Sequence, residues 1–133
     1  MNYYRAFCLF LTIIFALVGI IFLFLTDDVL VFFNTMSGYL GMKPSPVQGY
    51  GFYLILAVGY MYLVTLLAYL MYKQPENLSY PLLLTHGKLF SSILSFCLFI
   101  FQQPYLIYLT NSIVDGMIGL ITLYFYQKVK ISA

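Results

Sequence analysis

Thr85-His86-Gly87-Lys88 opens an apolar run that reaches Gln103, Pro104 interrupts it, and a second apolar run follows that carries Asn111, Ser112 and Asp115. Each run is long enough to cross a bilayer as a helix, which takes about 20 apolar residues. Between them they hold the only histidine of the chain, and a lysine and an aspartate set among apolar neighbours. Reading this stretch as two spans joined by a tight proline turn decides the fold, because the rest of the chain repeats its pattern.

Of 133 residues, 63% are hydrophobic and 8% charged, and the mean hydropathy is +0.95. A soluble domain carries about 25% charged residues. Apolar surface on this scale has no place to hide in water, so lipid is the solvent. In lipid every backbone N–H and C=O must be paired within the protein, which leaves helices or closed barrels. Barrel strands alternate polar and apolar over short segments, whereas these runs are unbroken. The expectation is an all-α membrane protein, a single domain over residues 1–133, with four transmembrane helices in an antiparallel bundle.

The first span is expected over residues 6–26. It is longer than the apolar region of a signal peptide and no Ala-x-Ala site follows it, so it reads as a retained helix. The second is expected over residues 50–72, where Ala57 and Gly59 suggest close approach of a neighbouring helix. The third and fourth are expected over residues 81–103 and 105–127. Between the first two, residues 27–41 show Val29, Phe32, Phe33, Met36 and Leu40 at helical spacing, with Asn34, Thr35 and Ser37 on other faces. This is the pattern of a short amphipathic helix in the interface, capped by Thr26, Asp27 or Asp28. Lys43-Pro44-Ser45-Pro46 then forces an extended or turned segment.

Four spans put both termini on one side. That side holds Arg5, Lys73, Lys128 and Lys130, against Lys43 alone on the other. Basic residues mark the cytoplasmic face, so both termini are expected there. Many of the 14 tyrosines, Tyr50, Tyr72 and Tyr105 among them, fall near span ends, where an amphipathic ring suits the headgroup layer.

The chemistry is sought in the hairpin of the last two spans. Residues equidistant from Gln103-Pro104 lie at equal depth, so Asp115 is level with Ser92 and Asn111 with Phe96. Lys88 is about four residues lower, or about 6 Å at 1.5 Å per residue, a gap a lysine stem spans. Lys88, Ser91 or Ser92, and Ser95 share one helical face, as do Asn111, Ser112, Asp115, Gly119 and Thr122. A charge near the bilayer centre costs about 2.5–3.5 kcal/mol on insertion scales. Asp115 must therefore face protein, and be either paired or uncharged. The binding or proton-relay candidates are Asp115, Lys88, Asn111, His86 and Ser92. The bland alternatives are a buried pair that only sets helix register, and a His86 that only reaches the interface.

No catalytic set, metal ligand set or cofactor motif is apparent. A bis-histidine haem would need His86 from two copies of the chain. Asp27 and Asp28 lack the further oxygens a cation site needs. The net charge of +2 is too small and scattered for a nucleic-acid surface. Cys8 and Cys97 fall near opposite ends of their spans, so no disulfide is expected.

Three functions fit this inventory. The first is a non-catalytic subunit or scaffold, within a larger membrane assembly or a homo-oligomer. The second is a small proton-linked transporter acting as a homo-oligomer, with Asp115 as its ionisable centre. The third is a quinone- or lipid-binding membrane protein or enzyme. In length and span number the chain resembles the small DoxX-like membrane proteins, and its compactness suggests a bacterial inner membrane. That likeness is one of layout and implies no residue role.

Overall fold

The computed structural model describes residues 2–47 and 51–132. Five helices follow in order: α1 (Asn2–Phe24), α2 (Thr26–Tyr39), α3 (Gly51–Lys73), α4 (Ser79–Phe101) and α5 (Leu106–Ser132). α1, α4, α5 and the Ile55–Lys73 part of α3 are long and apolar enough to cross a membrane. The chain is a multi-pass membrane protein with a short fifth helix between its first two spans. The expected start of the second span at Tyr50 lies outside the described residues.

Outward faces of these helices are greasy: Phe10, Ile13, Leu17, Leu63, Phe90, Ile93 and Leu120 are all exposed. Helices apolar on every side are stable only where the surroundings are apolar too.

α1 and α2 are almost one helix. Leu25 leaves helical angles, yet its amide still reaches Ile21 O at 2.8 Å and its carbonyl accepts from Val29 at 3.0 Å. No side chain caps α2, contrary to the expectation for Thr26, Asp27 and Asp28. Thr26 Oγ1 donates back to Phe22 O instead. With the helical ladder carried across the bend, few amides there need a cap. α2 presents its other face to the bundle. Its Leu30 and Ser37 are buried, while Phe32, Met36 and Leu40 are exposed. The apolar stripe seen in sequence thus faces outward, as it should if lipid is its neighbour. α2 stops at Gly41, the single described residue with positive φ (66°). Met42 N donates to Ser37 O at 2.9 Å and Gly41 N to Gly38 O at 3.4 Å. These two bonds make a Schellman end, which a left-handed glycine closes.

The loop after α2 folds back over the bundle. Asn34 holds Ser45 from both sides, donating to Ser45 O and accepting from Ser45 N, each at 2.8 Å. Lys43 Nζ donates to Gln103 Oε1 at 2.9 Å in the α4–α5 turn. α2 and its loop are thereby fastened across the end of the bundle remote from the termini.

Backbones of α1 and α3, α3 and α4, and α4 and α5 run against one another. Glycine sets the closest approaches. A Cβ on Gly119 would stand 2.8 Å from Leu89 Cδ2, and one on Gly19 would stand 3.2 Å from Met61 Cβ. A Cβ on Gly59 would meet nothing within 4 Å among the described residues and Ala57 lines a cavity, so the close approach expected at that pair occurs at Gly19 instead.

Among the described residues the packed core lies in the half of the bundle that carries the termini. It comprises Tyr4, Cys8, Leu11 and Phe15 of α1, Val64, Ala68 and Met71 of α3, and Leu84 of α4. Buried residues of α5 begin at Asp115 and continue toward its C-terminus. Cys8 and Cys97 are free thiols. A cavity opens beyond it, toward the loop between α4 and α5.

Candidate functional site

The hairpin of α4 and α5 has the register expected from counting outward from its turn. Ser92 Oγ donates to Ser112 O at 2.6 Å, crossing from one helix to the other. Gly116 leaves room for that hydroxyl, since a Cβ there would lie 2.8 Å from Ser92 Oγ. One turn nearer the loop, Asn111 Nδ2 donates to Ser95 Oγ at 2.6 Å and to Ser91 Oγ at 3.2 Å. One turn further in, Lys88 Nζ meets Asp115 Oδ1 at 2.9 Å. Three polar rungs therefore tie the two helices across the membrane interior.

The ion pair is buried, with 3% of the Lys88 side chain and 6% of the Asp115 side chain exposed. Burial of an ammonium is expensive, and two further neighbours offset the cost. The Phe15 ring lies 4.4 Å and the Tyr60 ring 5.1 Å from Nζ, centroid to atom. Negative ring faces of this kind replace water around a cation. Lys88 is thus clasped by α1, α3 and α5 together.

Above this pair, on the side away from the termini, lies a cavity of about 380 Å³. Lys88, Asp115 and Phe15 stand where it meets the packed core. Its walls are mostly apolar: Ile14, Val18 and Phe22 of α1, Ala57 and Met61 of α3, Leu98 of α4, and Ile107, Val114 and Ile118 of α5. The polar groups lining it are Lys88, Asp115, Ser91, Ser95, Asn111, Tyr60 and Tyr108. A smaller space of about 170 Å³ shares Phe22, Ala57, Ile107 and Tyr108 with it. This second space continues beneath α2 to Leu30 and Ser45.

α1 and α5 close against each other near the termini, where Phe125 packs on Tyr4 and Phe7 with centroids at 5.7 and 5.1 Å. Farther along they present facing residues to the cavity instead. Asn111 and Val114 line it and are nonetheless exposed, so the cavity is reachable along the seam between α1 and α5.

Of the five residues singled out by sequence, Lys88, Asp115 and Asn111 converge on the cavity. Ser92 sits beside them but spends its hydroxyl on the Ser112 carbonyl, a contact that sets register. His86 is exposed and lines neither space. Two residues along a helix turn a side chain by about 200°, so His86 points away from Lys88. Two residues of the site escaped the reading, Phe15 and Tyr60. Tyr60 did leave a trace: it stands well inside its span, where the headgroup role of a tyrosine does not apply. Phe15 left none among so many phenylalanines.

Among the described residues no group of His, Cys, Asp or Glu could hold a metal ion. No protein-family model matches the chain, no curated protein matches it, and no solved structure matches it.

Proposed function

We propose that this small integral membrane protein is a binding protein for a lipid-soluble small molecule, which it holds between its four spans. One observation carries the reading: a cavity of about 380 Å³ with apolar walls and a few convergent polar groups at one end. Sites for small ligands have this size and composition, about 300–1,000 Å³ with a few placed polar groups. A purely structural subunit has no use for such a cavity. Filling it would stabilise the protein by burying apolar surface, so the void favours binding over the scaffold role.

A proton-linked carrier is less well supported. It asks Asp115 to take up and release a proton, but Asp115 Oδ1 is held 2.9 Å from Lys88 Nζ. That cycle would have to break a buried ion pair at each turn. On the charge asymmetry of the loops, the cavity opens in the leaflet opposite the cytoplasm, with α2 over its mouth.

The test is mass spectrometry of the protein extracted in mild detergent. A lipid-soluble adduct is expected at one per chain. It should be lost in Ala57→Phe, which fills the cavity from α3, while the unfolding midpoint does not fall. A protein that carries no such adduct from any membrane, or an adduct indifferent to Ala57→Phe, would overturn the reading.

A further inference from the structure

The seam between α1 and α5 shows where the occupant of the cavity comes from. Resting on the binding reading above, we propose that the ligand is a lipid of the leaflet remote from the termini, and that it enters sideways between α1 and α5 without passing through water.

Four seams run between neighbouring spans. In three of them, α1–α3, α3–α4 and α4–α5, backbones run against one another. In the fourth, α1 and α5 touch near the termini through side chains, with the Phe7 and Phe125 rings 5.1 Å apart between centroids. Residues seven apart share a face of a helix, with a drift of about 20°. Phe7, Ile14 and Ile21 therefore form one stripe of α1, and Phe125, Ile118 and Asn111 the facing stripe of α5. The two helices are antiparallel, so each step of seven away from the Phe7–Phe125 contact keeps the stripes level. At the first step Ile14 and Ile118 are half-buried and both line the cavity. At the second, about 21 Å from the contact at 1.5 Å per residue, Ile21 and Asn111 are exposed. Faces that meet at one end of the bundle thus stand apart at the other.

Depth decides what lies in the gap. α5 begins at Leu106, so Asn111 and Val114 stand about 8 and 12 Å below its end. Val114 lines the cavity and is 47% exposed. The hydrocarbon layer is about 30 Å thick, so this part of the seam faces acyl chains. The way toward water is roofed. Beneath α2 the second space passes Thr26, Leu30 and Ser45. The loop above it is fastened by the two Asn34–Ser45 bonds and by Lys43 on Gln103. A ligand already dissolved in lipid reaches the cavity through the seam without exposing apolar surface to water.

The experiment uses two diazirine photoprobes: one on hexadecanol, which stays in the bilayer, and one on a short quaternary ammonium alcohol, which stays in water. Each is mixed with the full chain in phosphatidylcholine nanodiscs and illuminated at intervals, and labelling is assigned residue by residue. Outward-facing Phe10 and Leu17 report arrival of a probe in the bilayer. The hexadecanol probe is expected to label Ile14 and Val18 in the cavity, and the charged probe to leave both unlabelled. Ile21→Trp, which fills the lip of the seam from α1, should slow labelling of Ile14 and Val18 by about tenfold, within the range that on-rates cover among variants of one site. The final level should be unchanged, because a plug in the route slows entry and release alike, whereas a general loss of structure would lower it. Ile13→Trp, on the outward face, should slow nothing. Asn34→Ala, which frees the loop over the second space, should leave the rate as it is. Faster labelling in Asn34→Ala, an unaltered rate in Ile21→Trp, or labelling of Ile14 and Val18 by the charged probe overturns the lateral route while the binding reading stands. Absence of labelling at Ile14 and Val18 by both probes, or a final level indifferent to Ala57→Phe, overturns the binding reading itself.

Discussion

Lys88 and Asp115 meet at 2.9 Å with 3% and 6% of their side chains exposed, on helices that approach through Gly116 and Gly119. Each charge is tolerable only because the other is there. Removing one partner leaves an uncompensated buried charge, a loss of about 3–5 kcal/mol, whereas replacing both by apolar groups of similar volume is often neutral or stabilising. Lys88→Met and Asp115→Leu are each expected to lower stability by that amount, and the double variant to recover most of it. Reversible unfolding in mixed micelles measures all three, and a double variant as damaged as the worse single one would contradict the account.

The glycines of α5 should be unequal to Gly59 of α3. Gly119→Ala drives a Cβ to 2.8 Å from Leu89 Cδ2 and 3.3 Å from the Leu89 backbone nitrogen. Overpacking of this kind costs about 1–3 kcal/mol. Gly116→Ala meets the movable Ser92 hydroxyl, and should cost about 1 kcal/mol through the Ser92–Ser112 bond it displaces. Gly59→Ala has open space around it and should be neutral or slightly stabilising. The same unfolding measurement ranks them, and a harmful Gly59→Ala would contradict the packing described.

Gly41 sits at φ 66° and ends α2. An L side chain there is penalised by about 1–2 kcal/mol. Gly41→Ala is therefore expected to loosen the loop that Asn34 and Lys43 fasten. Faster hydrogen exchange at the amides of Met42 and Ser45 reports it, with the four spans unaffected.

Asn111 and His86 separate site from surface. Asn111→Leu removes the bonds to Ser91 and Ser95, and interhelical polar contacts in membranes average about 0.6 kcal/mol. A loss of that order is expected, whereas His86→Ala should change stability by less than about 0.5 kcal/mol and leave the probe-labelling pattern intact. A large effect at His86 would show that its outward face is covered by protein.

Much of this architecture is legible in the residues. Unbroken apolar runs leave helices as the solution in lipid, and Pro104 between Gln103 and Tyr105 marks the hairpin. Counting outward from that turn brings Lys88 within reach of Asp115, because two antiparallel helices of equal rise lose height together. Helical spacing places Asn111 and Asp115 on one face. The amphipathic pattern of α2 reads as a stripe laid toward lipid, and Phe32, Met36 and Leu40 are exposed.

The sequence by itself determined the number of spans and their antiparallel order, since solvation in lipid leaves those no alternative, and it put Lys88 within reach of Asp115; that the two meet was decided by the tertiary structure. Only the tertiary structure decided that a cavity opens beside Lys88 and Asp115, and that Phe15 and Tyr60 close around Lys88. Those outcomes depend on how far apart α1 and α5 stand beyond Phe15 and Asp115. Helix separation is set by the fit of many side chains at once and leaves no periodic mark on any one segment.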